Sequence, residues 1–292
     1  MHEYDITFMS TNSANYAKPI TALVVEPDRV GPDTGLMHFA HGWGGNRFQY
    51  QEMQKEFVER YNVVGVSTEF RMSGYDFDPV RGRGAGMPYD ASHYQVVDCL
   101  NALRETLRLY PSLNRRRILN FGGSQGGHVA MLMTVFCPDT FALVASACGI
   151  SHLDTDRVTW SCRTFTGDEL AIRDVPGMAE RVACPVVLIH GTGDETVPDR
   201  HTRELERALE DAGKMVRVQY VDGANHALGP DTNRRDVLVD LADDLLATAV
   251  NDREPELVSG RLVRIPCETR TLVLDWSLPP GDVNLMRWED GV

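Results

Sequence analysis

RRILNFGGSQGGHVAMLMTVF, residues 116–136, runs from a short apolar stretch, through a serine set among four glycines, into a second apolar stretch. The first part, RRILNF, reads as a strand, and the last, HVAMLMTVF, reads as a helix. Gly122, Gly123, Gly126 and Gly127 therefore sit at a strand-to-helix junction with Ser124 at its centre. In that setting G-x-S-x-G, here Gly122, Ser124 and Gly126, becomes a sharp turn that lifts a serine hydroxyl off the strand end. Bulky neighbours on either side of the serine would strike the strand or the helix, so glycine has a steric role there. The competing reading is a flexible glycine loop, and the motif by itself leaves both open.

Outward from this turn, apolar β-branched runs alternate with helical-period segments from about residue 3 to 250. Strands are predicted at 3–8, 20–26, 35–40, 62–68, 117–122, 141–147, 185–190 and 216–221, with helices near 49–60, 91–109, 125–136, 199–213 and 231–250. This alternation implies an α/β fold, a mostly parallel eight-stranded sheet with helices on both faces, over residues 1–254. In the last helix Val237, Leu241, Leu245 and Ala249 recur every four residues and predict the buried stripe. Two segments break the pattern. Residues 150–181 have mixed polarity and no period, and read as a small lid-like insertion or a plain surface excursion. Residues 255–292 carry two β-like runs, GRLVRIPCE and TRTLVLDW, and read as a C-terminal β extension, a hairpin packed on the body or against a partner chain in a homodimer.

Charge narrows the partners. Forty-two acidic residues against 29 basic ones give a net charge of −13, and the basic residues are scattered except for Arg115, Arg116 and Arg117, expected in a solvated turn. Nucleic-acid and anionic-membrane surfaces need concentrated positive charge, so neither partner is expected. Six cysteines without a C-x-x-C pair signal neither a zinc site nor a redox motif. The opening residues MHEYDITF lack the basic and apolar regions of a secretory signal, and the expected location is cytoplasmic.

A nucleophilic serine needs a base, an acid that orients the base, and donors for an oxyanion. His226, in the small polar loop of VDGANHALG after the last predicted strand, is the candidate base; His38 and His190 lie within or at the end of apolar runs, and His128 falls in the first turn of a helix, facing elsewhere. For the acid, VVLIHGTGDETVPDR supplies Asp194 in a tight turn. Glu195 should point away, Asp199 suits a helix N-cap, Glu206 lies too far along, and Asp194 itself could be only a turn residue bonded to its own backbone. The N–H of Gln125, just after Ser124, is one candidate oxyanion donor, and the N–H of Trp43 in the glycine-rich turn HGWGG, residues 41–45, is the other. That turn lacks both the Lys-Ser/Thr ending of a phosphate loop and the spacing of a dinucleotide fingerprint. No cofactor or metal is called for.

HGWGG, GGSQGG, GTGDETVP and GANHAL, in that order, resemble the α/β-hydrolase superfamily over about residues 1–250, and its prolyl oligopeptidase and dienelactone hydrolase branch in particular. The resemblance implies Ser124, Asp194 and His226 as a triad with Trp43 and Gln125 as the oxyanion hole. R-G-R-G at 81–84 differs at one position from the R-G-Q-G of related acetyl esterases, and no propeller domain fits in this length. The expected reaction is hydrolysis of a small or medium carboxylic ester through an acyl-enzyme, with a peptidase or amidase, an acyltransferase, or a non-catalytic ligand-binding homologue as alternatives. The loop 71–90 and the segment 150–181 would shape the pocket, with Trp160 and Phe165 contacting the acyl group or simply packing.

Overall fold

Eight strands align in one sheet in the computed structural model, which describes residues 1–10, 19–74, 77–78, 83–84 and 89–291. They are β1 (His2–Met9), β2 (Pro19–Glu26), β3 (Gly35–Ala40), β4 (Val63–Thr68), β5 (Ile118–Gly123), β6 (Leu143–Ala147), β7 (Val186–Gly191) and β8 (Val216–Val221). Their order is β1-β2-β4-β3-β5-β6-β7-β8. Strands β3 to β8 are joined by parallel pairings, whereas β2 pairs antiparallel with both β1 and β4. Every position of β3 to β7 is buried, which their near-continuous apolar runs required.

Alternation along the strands feeds two separate cores. Ala22 and Val24 of β2 join a cluster with α2 (His93–Leu109), α3 (Gln125–Phe136) and α6 (Arg200–Asp211); Leu23 and Val25 join the other, with α1 (Gln51–Tyr61) and α7 (Arg234–Thr248). Helices thus cover both faces, and the carboxyl ends of β3, β5, β7 and β8 open at one edge of the sheet, where ligands of such folds bind.

Several expectations need correction. Of the predicted stripe of α7, Val237 is buried and Leu241, Leu245 and Ala249 are half-buried against the same core, while Leu238, Val239, Ala242 and Leu246 complete the inner face toward β6, β7 and β8. Arg117 is no solvated turn residue; it is buried, and its guanidinium donates to the carbonyls of Leu246 (2.9 Å) and Asn62 (3.2 Å). The 150–181 segment contains α4 (Thr155–Ser161), α5 (Gly167–Ala171) and a 3-10 turn over Pro176–Arg181. Local capping forms them: Asp154 accepts from Arg157 N, and Thr166 and Glu169 make a capping box that a periodicity search does not register.

After the short helix α8 (Glu256–Ser259), the C-terminal extension is a three-stranded antiparallel sheet, β9 (Leu262–Pro266), β10 (Arg270–Asp275) and β11 (Met286–Asp290), rather than a hairpin. Leu272, Leu274 and Trp276 lie in the same buried cluster as α2 and α3, and Arg104 of α2 donates to the carbonyls of Trp276 (3.1 Å) and Leu278 (2.7 Å). Its Asp168 contacts reach the insertion as well: Thr269 N donates to that carboxylate over 2.9 Å. Much of the loop 71–90, including residues 81–82 of the R-G-R-G stretch, lies outside the described residues. No helix among the described residues is long and apolar enough to cross a membrane.

Trp276 is 1% exposed. Replacing a buried aromatic of this size by alanine removes about 3–5 kcal/mol. Trp276→Ala is therefore expected to lower the unfolding free energy by about that amount in one cooperative urea transition. A loss below about 1 kcal/mol, or a separate early transition, would mean that the extension is not part of the main core.

Candidate active site

The turn after β5 is strained at the serine. Ser124 has φ 59° and ψ −127°, a conformation that L-residues adopt only when the surroundings impose it. The surroundings are backbone. A Cβ on Gly126 would lie 2.0 Å from the carbonyl oxygen of Ala40, and one on Gly122 would lie 2.0 Å from the carbonyl oxygen of Gly126. Ser124 N donates to Ala147 O of β6 over 2.9 Å, which anchors the turn to the neighbouring strand. Of the two readings of GGSQGG, the packed turn is the one found, and Ser124 stays partly accessible at its tip.

Asp194 and His226 meet across the ends of β7 and β8: His226 Nδ1 lies 2.7 Å from Asp194 Oδ2. The carboxylate also serves its own turn, since Oδ1 accepts from Thr196 N and Val197 N, each over 2.9 Å. One oxygen thus bonds the turn's own backbone, and the other faces the His226 imidazole. Burial alone would raise the Asp194 carboxyl, but hydrogen bonds from His190, His226 and Val197 N hold it well below the usual carboxylate range. Glu195 is exposed, Glu206 accepts from Tyr220 OH (2.7 Å), and Asp199 makes no side-chain cap, pairing instead with Arg203 one turn on. His128 is buried between Ser92 and the Arg173 carbonyl, and burial pushes its imidazole down to about 3. Among the described residues no hydrogen bond joins Ser124 Oγ to His226, a contact that commonly tightens only when substrate is bound.

His190 was hidden in the sequence by its apolar run. Its Nε2 lies 2.8 Å from Val197 O and 3.3 Å from Asp194 Oδ2, and Thr202 Oγ1 sits 2.6 Å from Nδ1. The carbonyl can only accept, so Nε2 carries the proton, which also faces the Asp194 carboxylate. Cys148, His190 and Asp194 bring ligand-type atoms within 4.8 Å of one another. Both His190 nitrogens are engaged by Thr202 and Val197, and burial pushes the Cys148 thiol up to about 11.

The two oxyanion candidates flank the serine. Gln125 opens α3, where the first N–H groups are unclaimed by the helix and carry its positive dipole end. On the other side, a Cβ built on Gly42 would touch Ser124 Cβ at 3.4 Å, so the 41–45 turn lies directly against the serine. That turn is fixed by His41, whose Nδ1 meets Gly42 O (2.8 Å) while Nε2 accepts from Phe70 N (3.0 Å). Tyr89 braces both sides: its ring stacks on Trp43 at 4.3 Å and its hydroxyl donates to Gln125 Oε1 at 2.9 Å. Trp160, 39% exposed, meets Trp43 edge-on at 5.9 Å, and Phe165 packs on the same cluster between the guanidinium groups of Arg163 and Arg173.

A second Ser-His-Asp set exists. Ser151 Oγ lies 3.1 Å from His201 Nδ1, and His201 Nε2 lies 3.2 Å from Asp154 Oδ2. Ser151 is 1% exposed and has ordinary backbone angles, while Asp154 is occupied by Arg157 and Arg200. This set staples α6 to the insertion and offers no accessible nucleophile.

Residues 87–251, more than half of the chain, match the model of the prolyl oligopeptidase family. The chain belongs to the prolyl oligopeptidase family. It is 28% identical over 150 residues to the uncharacterized peptidase YtmA of Bacillus subtilis, covering 47% of this chain and 58% of that protein. Against the acylamino-acid-releasing enzyme of Rattus norvegicus it is 26% identical over 165 residues, covering 49% of this chain and 22% of that enzyme. The chain therefore spans less than two thirds of either relative. The acylaminoacyl peptidase of Pyrococcus horikoshii shares the fold, with TM-score 0.65 at 18% identity over 86% of this chain and 42% of that one. A puromycin-hydrolyzing peptidase of Mycobacterium tuberculosis superposes with TM-score 0.60 at 21% identity, covering 77% and 36% respectively.

In this member of the prolyl oligopeptidase family, the serine turn tolerates no side chain at its closest backbone contact. Gly126→Ala is expected to destabilise the fold by about 1–3 kcal/mol, read from urea unfolding, because Ala40 is backbone and cannot rotate away. A wild-type unfolding midpoint would show that the turn is not packed as described.

Proposed function

We propose that this chain hydrolyses amide bonds of short peptides or acylated amino acids by serine catalysis. Ser124 Oγ attacks the carbonyl carbon, and His226 Nε2 takes the hydroxyl proton while Asp194 holds Nδ1. The N–H groups of Gln125 and Trp43 face the oxyanion. His226 then gives the proton to the departing amine, and water resolves the acyl-enzyme by the same route. The observation that carries this reading is the 2.7 Å contact between Asp194 and His226, in a chain whose Ser124 occupies a strained, glycine-packed turn.

Family membership and relatives named as peptidases support amide cleavage ahead of the ester hydrolysis expected from sequence. Esters remain the second reading, because one triad serves both carbonyl types. The aromatic group of Trp43, Tyr89, Trp160 and Phe165 favours a large apolar residue on the acyl side.

The test is a panel of free and N-acylated aminoacyl p-nitroanilides, with p-nitrophenyl acetate and butyrate alongside, on wild type and Ser124→Ala. Anilide turnover, highest for phenylalanyl or leucyl substrates and reduced about a thousandfold or more in Ser124→Ala, is the expected result. Ester turnover without anilide turnover would return the reading to an esterase, and equal rates in Ser124→Ala would remove the serine from the mechanism.

A further inference from the structure

We infer that Arg234 is a positioning residue for this reaction, tying the loop that carries His226 to the turn that carries Ser124; the inference rests on the reading of those two residues as base and nucleophile.

Arg234 is the first residue of α7, next to a second arginine, at the helix end whose dipole disfavours cations. Arg235 answers this locally, pairing with Glu56 and with Asp236 (2.6 Å). Arg234 instead turns inward, where it meets no carboxylate among its hydrogen-bond partners. Its Nη2 donates to the main-chain carbonyl of His226 (2.6 Å), and its Nη1 donates to Tyr50 OH (2.8 Å). Tyr50 is itself seated edge-on against Phe121 of β5, at 5.1 Å, two residues before the glycine that precedes Ser124.

The guanidinium also presses on the serine turn. A Cβ on Gly123 would lie 2.7 Å from Arg234 Nη1 and 2.1 Å from Tyr50 OH. Arg234 and Tyr50 thus occupy the space that a side chain at position 123 would need, which accounts for one of the two glycines of GGSQGG, Gly123 and Gly127, that the turn motif does not itself demand. One planar cation thus joins the end of β5, the loop after β8 and the start of α1.

Such a tie is what the base requires. Asp194 holds the His226 imidazole through a single bond to Nδ1, which fixes a distance but not by itself the bearing of the ring. Holding the His226 carbonyl adds a second fixed point, on the backbone, and the two together set the bearing of Nε2. Catalysis is sensitive to this because a displacement of roughly 1 Å costs about a hundredfold in rate.

Arg234→Met, Arg234→Lys and Tyr50→Phe separate positioning from simple stabilisation, with Ser124→Ala measured alongside on the same substrate, p-nitrophenyl butyrate or the best anilide. Arg234→Met is expected to lose about 10- to 100-fold in kcat with KM within about twofold, in protein that still unfolds cooperatively. Arg234→Lys should recover part of that loss, since one ammonium can reach the His226 carbonyl but cannot also hold Tyr50 in the same plane. Tyr50→Phe should lower kcat about threefold to tenfold with KM unchanged. Wild-type kcat in Arg234→Met overturns the inference. Should Arg234→Met fail to fold, wild-type kcat in both Arg234→Lys and Tyr50→Phe overturns it equally. Undiminished turnover in Ser124→Ala overturns instead the reading of Ser124 on which it rests.

Discussion

The approach of α3 to β3, so close that a Cβ on Gly126 would stand 2.0 Å from the Ala40 carbonyl oxygen, is the constraint on which the site depends. It brings the N-terminus of α3 down onto the strand ends, and the chain can make that descent only through the strained angles of Ser124. The same contact sets the start of α3 against the 41–45 turn, with a Cβ on Gly126 also 2.6 Å from the His41 carbonyl oxygen. Strain of this kind costs on the order of 1–3 kcal/mol and persists because the surrounding sheet over-determines it. Five fully buried strands and two cores supply that determination.

How much of this is legible in the sequence follows from what kind of interaction does the placing. All eight strands lie within two residues of their predicted bounds, and the central ones declare themselves through uninterrupted runs such as VVLIH, because burial on both faces acts on every residue of the run. The serine turn is legible because backbone contact admits only glycine. Interactions made by a single polar group at a distance leave no such trace. His190 looks like part of an apolar strand, and its support of Asp194 exists only once β7 and the start of α6 are in place. Arg117 reads as one of three solvated arginines until Leu246 arrives to accept from it. Arg234 left one faint signal, a positive charge at a helix N-terminus. The small helices of the insertion depend on caps at Asp154 and Thr166, local chemistry that periodicity cannot detect.

Hydrogen bonding alone does not single out a nucleophile. Ser151, His201 and Asp154 are linked by contacts of 3.1 and 3.2 Å, yet that serine is sealed in the interior on relaxed backbone. What distinguishes Ser124 is accessibility joined to strain, at the end of a central strand, in the part of the chain that matches the prolyl oligopeptidase family. Asp194 shows a similar economy of groups: one oxygen accepts from its own turn and the other meets the His226 imidazole.

The central claim is that Ser124 is the activated nucleophile. Its most direct test is to treat the folded protein with a fluorophosphonate and to map the modified residue by peptide mass spectrometry. Phosphonylation of Ser124, lost when the protein is first unfolded, is the predicted result; modification at Ser151, or none in folded protein, would contradict it.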